Sequence, residues 1–169
     1  MQAVRIAING YGRIGRCVLR AIYERQLEQE LEVVAINEPA DLETMAYLTQ
    51  FDSTHGVFPG KVGRSENSLL INGKAIQVFH HTQPDAVDWQ ALDIDILLEC
   101  SGAYSQRSDL EKFIQAGCPR VLVSQPTDSA NEVDYTVVLG INDTELNGQQ
   151  SIVSNASCTT NAIIPVLAE

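Results

Sequence analysis

The sequence is poor in basic residues. Eleven Lys and Arg stand against 22 Asp and Glu in 169 residues, which gives a net charge of -11 at pH 7. A protein of this charge repels a phosphate backbone and an anionic membrane surface. We therefore expect neither nucleic acid nor a membrane as a partner.

Long apolar runs are also lacking. None of the apolar runs approaches the roughly 18 residues that are needed to cross a bilayer. The N-terminal segment MQAVRIAING leads directly into a predicted strand. These features predict a cytoplasmic protein without a signal peptide.

Cysteines are few and far apart. Cys17, Cys100, Cys118 and Cys158 contain no CxxC pair, so neither a zinc site nor a disulfide framework is indicated. We expect free thiols in a reducing compartment and no bound metal.

A glycine turn follows the first apolar stretch. The β-branched run at 3–8 leads into GYGRIG at 10–15, and helical spacing continues to about Glu28, with one apolar face formed by Ile14, Val18, Ala21 and Ile22. A second predicted strand, 31–36, ends at Asn37 and Glu38. A carboxylate about 20 residues after such a turn is typical of dinucleotide binding, where it contacts the adenine ribose.

Glu38 also bears on the choice of cofactor. No Lys or Arg lies between Glu38 and Thr44 to hold a 2′-phosphate, so the segment favours NAD over NADP. The alternative is a plain βαβ unit without a cofactor, because glycine turns are common.

The remaining pattern predicts an α/β fold with an open, doubly wound, mainly parallel sheet. Its predicted elements are a helix at 42–51, a polar loop at 51–60, a hairpin of 69–71 and 74–79, strands at 95–99, 121–124, 135–140 and 151–154, and a helix at 108–116 that Ser108 caps and Gly117 ends. Trp89 is expected to be a core or hinge anchor rather than a platform for a ligand. Ligands of such sheets bind at the carboxyl ends of the strands, so one cleft should bring together Gly10, Glu38, Ser101, Ser124 and Cys158.

The segment SNASCTTN at 154–161 is the strongest chemical signal. Cys158 follows a predicted strand and opens a predicted helix, and a helix N-terminus favours a thiolate and offers N–H groups to an oxyanion. This predicts a nucleophile that attacks a carbonyl. The alternative is a small buried apolar residue, although four small polar neighbours would be costly to bury without partners.

The glycine turn, DSTHG at 52–56 and SNASCTTN together resemble the N-terminal half of the glyceraldehyde-3-phosphate dehydrogenase family, from Val4 to the last residue. The resemblance implies a Rossmann-type NAD-binding domain at 1–154, the start of a catalytic domain at 155–169, and a homotetramer. The final IIPVLAE stops within a helical pattern, so we expect a truncated chain. The rest of the catalytic domain, with the family's general-base histidine, is then expected beyond Glu169.

The resemblance also implies roles for individual residues. Cys158 is the implied catalytic nucleophile, and Ser157 and Thr159 flank the reacting carbon of a phosphorylated sugar aldehyde. The implied NAD-binding residues are Gly10, Gly12, Arg13, Ile14, Gly15, Asn37, Glu38, Ser101, Gly102 and Ser124. The three histidines, His55, His80 and His81, are poor substitutes for the general base, so we expect weak NAD binding and little turnover from this chain alone.

Within the family, AINE at 35–38, ECSGAY at 99–104 and IIPV at 163–166 resemble the branch that oxidises erythrose 4-phosphate more than the glycolytic branch. Besides the missing histidine, the sequence departs from the family pattern at two places. Ala162 replaces a second cysteine, and His80, His81 and Thr82 stand where a cofactor-side arginine is expected. Two functions of other classes stay open: an NAD-binding module without activity, and a redox sensor that uses Cys158.

Overall fold

The computed structural model describes residues 2–168, and they form four helices, eleven strands and several short 3-10 turns. The helices are α1 (Arg13–Glu24), α2 (Leu42–Gln50), α3 (Arg107–Gln115) and α4 (Cys158–Leu167). The strands are β1 (Val4–Asn9), β2 (Leu31–Asn37), β3 (Phe51–Asp52), β4 (Gly56–Val57), β5 (Val62–Ser65), β6 (Ser68–Ile71), β7 (Lys74–Phe79), β8 (Ile96–Glu99), β9 (Val121–Val123), β10 (Tyr135–Thr136) and β11 (Ile152–Ser154).

Nine strands form one sheet in the order β10-β11-β9-β8-β1-β2-β7-β6-β5. All neighbours pair in parallel except β5 with β6 and β6 with β7, which are antiparallel. The chain builds outward from β1 through β2 to β7 and then returns to β8 on the other side of β1. The predicted mainly parallel, doubly wound sheet is confirmed, and its order reverses between β1 and β8. The carboxyl ends of these two strands therefore form the edge at which such sheets bind ligands.

Two apolar cores lie on opposite faces of the sheet because side chains alternate along each strand. Ile6 and Ile8 of β1 belong to the core that contains residues of α1 and α2. Ala7, between them, belongs to the core that includes α3, together with Phe113 and the fully buried Trp89. Of the two roles predicted for Trp89, core or hinge anchor, the structure thus places it in the core.

Two predicted helix boundaries were wrong. α1 ends at Glu24 rather than Glu28, and Gln26 just beyond it has a left-handed φ of 58°. α3 begins at Arg107, so Ser108 lies inside the helix and is not its cap. The carboxylate of Glu132 accepts the Arg107 backbone N–H at 2.6 Å, so a tertiary contact stabilises this helix start where a local cap was expected. Gly117, with φ of 101°, follows the helix end as predicted.

Other differences concern strands. β5 was not predicted, and the predicted loop at 51–60 contains the short β3-β4 hairpin. The strand predicted at 135–140 is only Tyr135–Thr136. Its early end has a local cause, because the side chain of Asn142 accepts the Val138 N–H at 2.7 Å and donates to the Thr136 carbonyl at 3.0 Å.

Residues 2–168 lack two features, a membrane-spanning helix and a metal-binding cluster. No helix in this part of the chain is both long and apolar enough to cross a membrane. The same residues contain no cluster of three or more His, Cys, Asp or Glu side chains that could hold a metal ion.

Candidate functional site

The glycine turn lies where β1 passes into α1. Gly10 has φ of 86°, a left-handed conformation that favours glycine. A Cβ atom on Gly15 would lie 2.3 Å from the Gly10 carbonyl oxygen, so α1 approaches the turn too closely for any side chain. A Cβ atom on Gly12 would meet no atom within 4 Å. The turn is therefore closed beneath Gly10 and Gly15 and open above Gly12, at the N-terminus of α1.

A cavity of about 260 Å³ opens above this turn at the ends of β1, β2 and β8. Eleven residues line it, namely Asn9, Gly10, Gly12, Asn37, Glu38, Pro39, His81, Thr82, Ser101, Ala103 and Tyr104. Five of the residues predicted to bind the cofactor are among them. The Tyr104 hydroxyl donates to the Thr82 carbonyl at 3.1 Å and so connects the two sides of the cavity. We call it the dinucleotide cavity because it lies above the predicted dinucleotide-binding turn.

Glu38 lies in the dinucleotide cavity and is bound to the glycine turn. Its carboxylate accepts the Tyr11 N–H at 2.6 Å and the Ala40 N–H at 3.1 Å. Each carboxylate oxygen has a second acceptor position, so Glu38 can hold the turn and still accept a ligand hydroxyl.

A buried polar network beneath the dinucleotide cavity was missed by the sequence analysis. Glu99 at the end of β8 is 0% exposed, and its carboxylate accepts the Asn9 amide at 2.5 Å and the Ser101 N–H at 2.7 Å. The Ser101 hydroxyl donates to the same carboxylate. Burial raises the pKa of Glu99, and the hydrogen bonds from Ser101 and Asn9 oppose this effect. The only sequence signal was an acidic residue at the end of an otherwise apolar strand.

Cys158 lies in a second cavity, of about 360 Å³, that is lined by Ile14, Val18, Leu98, Cys100, Leu122, Ser124, Asn155, Ala156, Cys158 and Asn161. It is the first residue of α4, as predicted, and it is exposed. The alternative of a buried apolar cysteine was therefore wrong. Ser124 and Ile14 also lie here, although Ile14 is 48% exposed and does not belong to the buried face that the helical pattern predicted.

The segment before Cys158 is held by short contacts. Ser157 caps α4 by accepting the Thr160 N–H at 2.9 Å, and its hydroxyl also bonds the Thr159 hydroxyl at 2.9 Å. The Asn161 amide donates to the carbonyls of Asn155 and Ser157 at 2.7 and 2.9 Å. These bonds fix the start of α4, so the backbone beside the thiol is ordered by its own polar neighbours.

Strain is also present at this point. Ala156 is 6% exposed and has φ of 56°, a conformation that alanine rarely adopts. Such strain occurs often at functional sites, where the surrounding structure holds it. Nothing in the one-letter pattern marked this residue.

The predicted single cleft is divided into two neighbouring cavities. Cys100 lines the cavity that contains Cys158, whereas Ser101, the next residue, lines the dinucleotide cavity. The loop after β8 therefore separates the two spaces, and residues from both reach the same edge of the sheet.

Three predicted cofactor residues, Arg13, Gly15 and Gly102, line neither cavity, and Gly15 packs against the Gly10 carbonyl beneath the turn. The side chain of Arg13 is paired with Asp52 at 2.7 Å and lines a separate opening beside α2. Gly102, with φ of 77°, follows Ser101 and lines neither cavity, and a Cβ atom on it would lie 3.6 Å from the Gln125 side chain. Their contacts with a cofactor stay predictions.

None of the three histidines, all within the described chain, lines the cavity of Cys158. His81 lines the dinucleotide cavity, and His80 contacts the Glu38 carbonyl through Nδ1 at 2.8 Å. His55 donates its backbone N–H to Asp52. Their placement agrees with the expectation that they are poor substitutes for a general base.

The four thiols differ in environment. Cys100 and Cys118 are buried, Cys17 is half-buried and Cys158 is exposed. Burial raises the pKa of both Cys100 and Cys118 to about 12. A thiol with so high a pKa is a poor nucleophile near neutral pH, which leaves Cys158 as the accessible candidate.

The dinucleotide cavity suits NAD. Open space above Gly12 lets a pyrophosphate approach the N-terminus of α1, and the Glu38 carboxylate lies at the end of β2, where a ribose hydroxyl is bound in such folds. Comparison with protein families gives an independent result: residues 4–107 match the model of the glyceraldehyde 3-phosphate dehydrogenase, NAD binding domain. The match covers more than half of the chain. This protein belongs to the glyceraldehyde 3-phosphate dehydrogenase family, as an NAD-dependent dehydrogenase whose cofactor is bound by this domain.

Proposed function

We propose that the protein oxidises erythrose 4-phosphate to 4-phosphoerythronate with NAD, as erythrose-4-phosphate dehydrogenases do in pyridoxal 5′-phosphate biosynthesis. The single observation that carries the proposal is the exposed Cys158 thiol at the first residue of α4, in a cavity next to the one that suits NAD. The choice of this sugar rests on the resemblance at 35–38, 99–104 and 163–166.

The proposed reaction begins at Cys158. Its thiolate adds to the aldehyde carbon and forms a C–S bond, and the electron pair of the carbonyl moves to oxygen. N–H groups in the first turn of a helix have no partner within the helix. Ser157 already accepts those of Thr160 and Asn161, so we assign the N–H groups of Cys158 and Thr159 to stabilise this oxyanion. NAD supplies the hydride acceptor when bound. The C–H bond of the former aldehyde carbon breaks as its hydride leaves, and the oxyanion electron pair re-forms the carbonyl, so a thioester remains on Cys158. Attack by water then breaks the C–S bond, returns the thiolate and releases the product carboxylate, with the protons of water passing to solvent.

Other residues have proposed binding roles. Ser157 and Thr159 flank the reacting carbon, and the cap that Ser157 forms on α4 holds both in place. For NAD, the proposed contacts are the glycine turn with Arg13 and Ile14, the β2 end at Asn37 and Glu38, and the loops at Ser101, Gly102 and Ser124. Ile14 and Ser124 lie in the cavity of Cys158, which supports contacts near the reacting end of the cofactor.

We extend the proposal to domains and assembly. Residues 1–154 form the NAD-binding domain, and 155–169 begin the catalytic domain. α4 has no buried residue among those described, and Ile163, Val166 and Leu167 are 54%, 74% and 74% exposed. Apolar exposure of this extent supports further protein packing on α4. The homotetramer implied by the family resemblance is part of the same proposal.

The test is steady-state kcat/KM of the product of the complete gene with NAD, comparing erythrose 4-phosphate with glyceraldehyde 3-phosphate, with and without inorganic phosphate. Preference for erythrose 4-phosphate without a phosphate requirement supports the proposal. Phosphate-dependent preference for the triose would instead establish the alternative, a phosphorylating glycolytic enzyme.

A matched pair of variants tests the role of the thiol. Cys158→Ser should abolish oxidation of both aldehydes and leave NAD binding unchanged, while Cys17→Ser, at a half-buried thiol, should retain activity. An active Cys158→Ser enzyme would refute the covalent route. Absence of aldehyde oxidation by the unmodified protein, with NAD still bound, would favour a non-catalytic NAD-binding module.

A further inference from the structure

The polar network under the dinucleotide cavity has a fixed direction. The His81 backbone N–H donates to Asn37 Oδ1 at 2.9 Å, and the His81 carbonyl accepts from Asn37 Nδ2 at 3.0 Å. A backbone N–H can only donate and a carbonyl can only accept. His81 therefore determines which end of the Asn37 amide carries oxygen.

This orientation passes through two further side chains. Asn37 Nδ2 also donates to Asn9 Oδ1 at 2.7 Å, which leaves Asn9 Nδ2 to donate to Glu99 at 2.5 Å. Asn9 and Asn37 are 5% and 4% exposed, so solvent does not compete for these groups. Glu99 must accept at Oε2 because the amide facing it can only donate.

The other oxygen of Glu99, Oε1, also accepts hydrogen bonds. Oε1 accepts the backbone N–H of Ser101 at 2.7 Å and also the Ser101 hydroxyl. The same hydroxyl accepts the Ala103 N–H at 3.1 Å. One hydrogen-bonded sequence thus runs from His81 through Asn37, Asn9 and Glu99 to the loop at 101–103, and its donors converge on Glu99 from both sides.

Both ends of this sequence are walls of the dinucleotide cavity. His81 and Asn37 line one side, and Ser101 and Ala103 line the other. Asn9 lies next to Gly10, and its carbonyl accepts the Cys100 N–H at 2.7 Å. A carboxylate accepts at both oxygens, whereas an amide at position 99 offers one acceptor and one donor.

We propose that Glu99 is a positioning residue for NAD: it acts as a carboxylate that aligns the loop at 101–103 with the glycine turn and with the end of β2. Glu99 does not itself contact the cofactor. It acts through its hydrogen bonds to Asn9 and Ser101, which line the cavity. Its pairing with Asn9 sets the width and shape of the cavity between its two walls.

Exchange of the acid and the amide tests this pairing. In Glu99→Gln, the NH2 group of the new side chain faces either Asn9 Nδ2 or the Ser101 N–H. Two donors then face each other without an acceptor. In Asn9→Asp, two carboxylates meet. We expect each single variant to weaken NAD binding at least about tenfold, since a buried polar group loses its partner. The double variant N9D/E99Q restores every donor to an acceptor and should bind NAD within about threefold of the unmodified protein.

NAD affinity is measured by isothermal titration calorimetry, and the melting temperature is measured without NAD. Leu97→Ala is the control for stability alone, because Leu97 is fully buried in the α3 core two residues before Glu99. It should lower the melting temperature and leave the affinity of the folded protein within about twofold. Hydrogen exchange of the 101–103 amides should increase in the single variants and return to the original rate in N9D/E99Q.

Single variants that bind NAD like the unmodified protein would overturn the proposal. A double variant that binds as weakly as the product of the two single effects would also overturn it. If a single variant does not fold, the double variant decides alone: recovery within about threefold supports the pairing, and a loss above about tenfold refutes it. All of these results concern NAD binding, so they are independent of which aldehyde is oxidised.

Discussion

A Cβ atom on Gly10 would lie 2.4 Å from both the backbone N and the Cα atom of Ser101. The turn after β1 and the loop after β8 are thus in backbone contact. Neither can make room for a side chain unless β1 or β8 shifts. With φ of 86° at Gly10, Gly10→Ala should lower the free energy of unfolding by about 2 to 4 kcal/mol. Urea denaturation measures this loss, and a change near zero would contradict the contact.

Gly12→Ala is the matched variant in the same turn. Gly12 has φ of -71° and open space around its missing side chain, so its replacement should cost at most about 1 kcal/mol of stability. The added methyl group occupies the approach to the α1 N-terminus, and NAD affinity should fall at least about tenfold. Calorimetric titration checks the affinity, and unaltered NAD binding would show that the pyrophosphate does not approach there.

Cys158 should be the first thiol to react with iodoacetamide. It is exposed, whereas Cys100 and Cys118 are buried with pKa values raised to about 12. At pH near 7 we expect Cys158 to be modified at least about tenfold faster than these two, as followed by peptide mass spectrometry. Protein unfolded in guanidinium is the control and should label at all four positions at similar rates. Equal rates in the folded protein would contradict the structure.

Glu38 should control the choice between NAD and NADP. Glu38→Ser removes the carboxylate that would repel a 2′-phosphate, so the ratio of NADP to NAD affinity should rise at least about tenfold. The variant also loses the acceptor of the Tyr11 and Ala40 N–H groups, which should cost about 1 to 3 kcal/mol of stability. Glu43→Gln, at an exposed ion pair with Arg64, is the control for net charge. An unchanged affinity ratio for Glu38→Ser would exclude this role.

Asp52 should contribute stability that depends on pH. The N–H groups of His55 and Thr54 hold its pKa below the usual range, and the Arg13 guanidinium adds to this effect. Such a carboxylate stabilises the folded protein above the unfolded pKa of about 4, and the contribution is lost as pH falls through the lower folded pKa. Asp52→Ala should therefore reduce stability at neutral pH, by an amount that shrinks below about pH 4.

Urea denaturation across this pH range measures the Asp52 contribution. Asp52→Asn keeps an oxygen for the Thr54 and His55 N–H groups, but its NH2 group replaces the oxygen that pairs with Arg13, so the ion pair and its hydrogen bond are lost. The stability of this variant should lie between those of the other two proteins. A stability difference that is independent of pH would refute the assignment.

Local patterns in the sequence determined much of the fold. The strand, glycine turn and helix within 4–24, the hairpin of 69–71 with 74–79 and the start of α4 at Cys158 were all predicted, because alternation, helical spacing and turn residues act within a few residues of one another. The order of these elements also predicted the sheet, since parallel strands need crossover connections that pack on its faces.

Tertiary contacts decided the rest. α3 begins at Arg107 because Glu132, distant in sequence, binds its first N–H, and Arg13 pairs with Asp52 beside a separate opening. The partnership of Asn9, Asn37 and Glu99 arises only when three strands lie side by side. The sequence by itself thus placed the glycine turn and Cys158 at strand ends. The tertiary structure decided that they lie in two separate cavities, and that the buried Glu99 carboxylate binds residues in the wall of the dinucleotide cavity. Hydrogen bonds between distant strands leave no local period in a sequence, and this is why the carboxylate was missed.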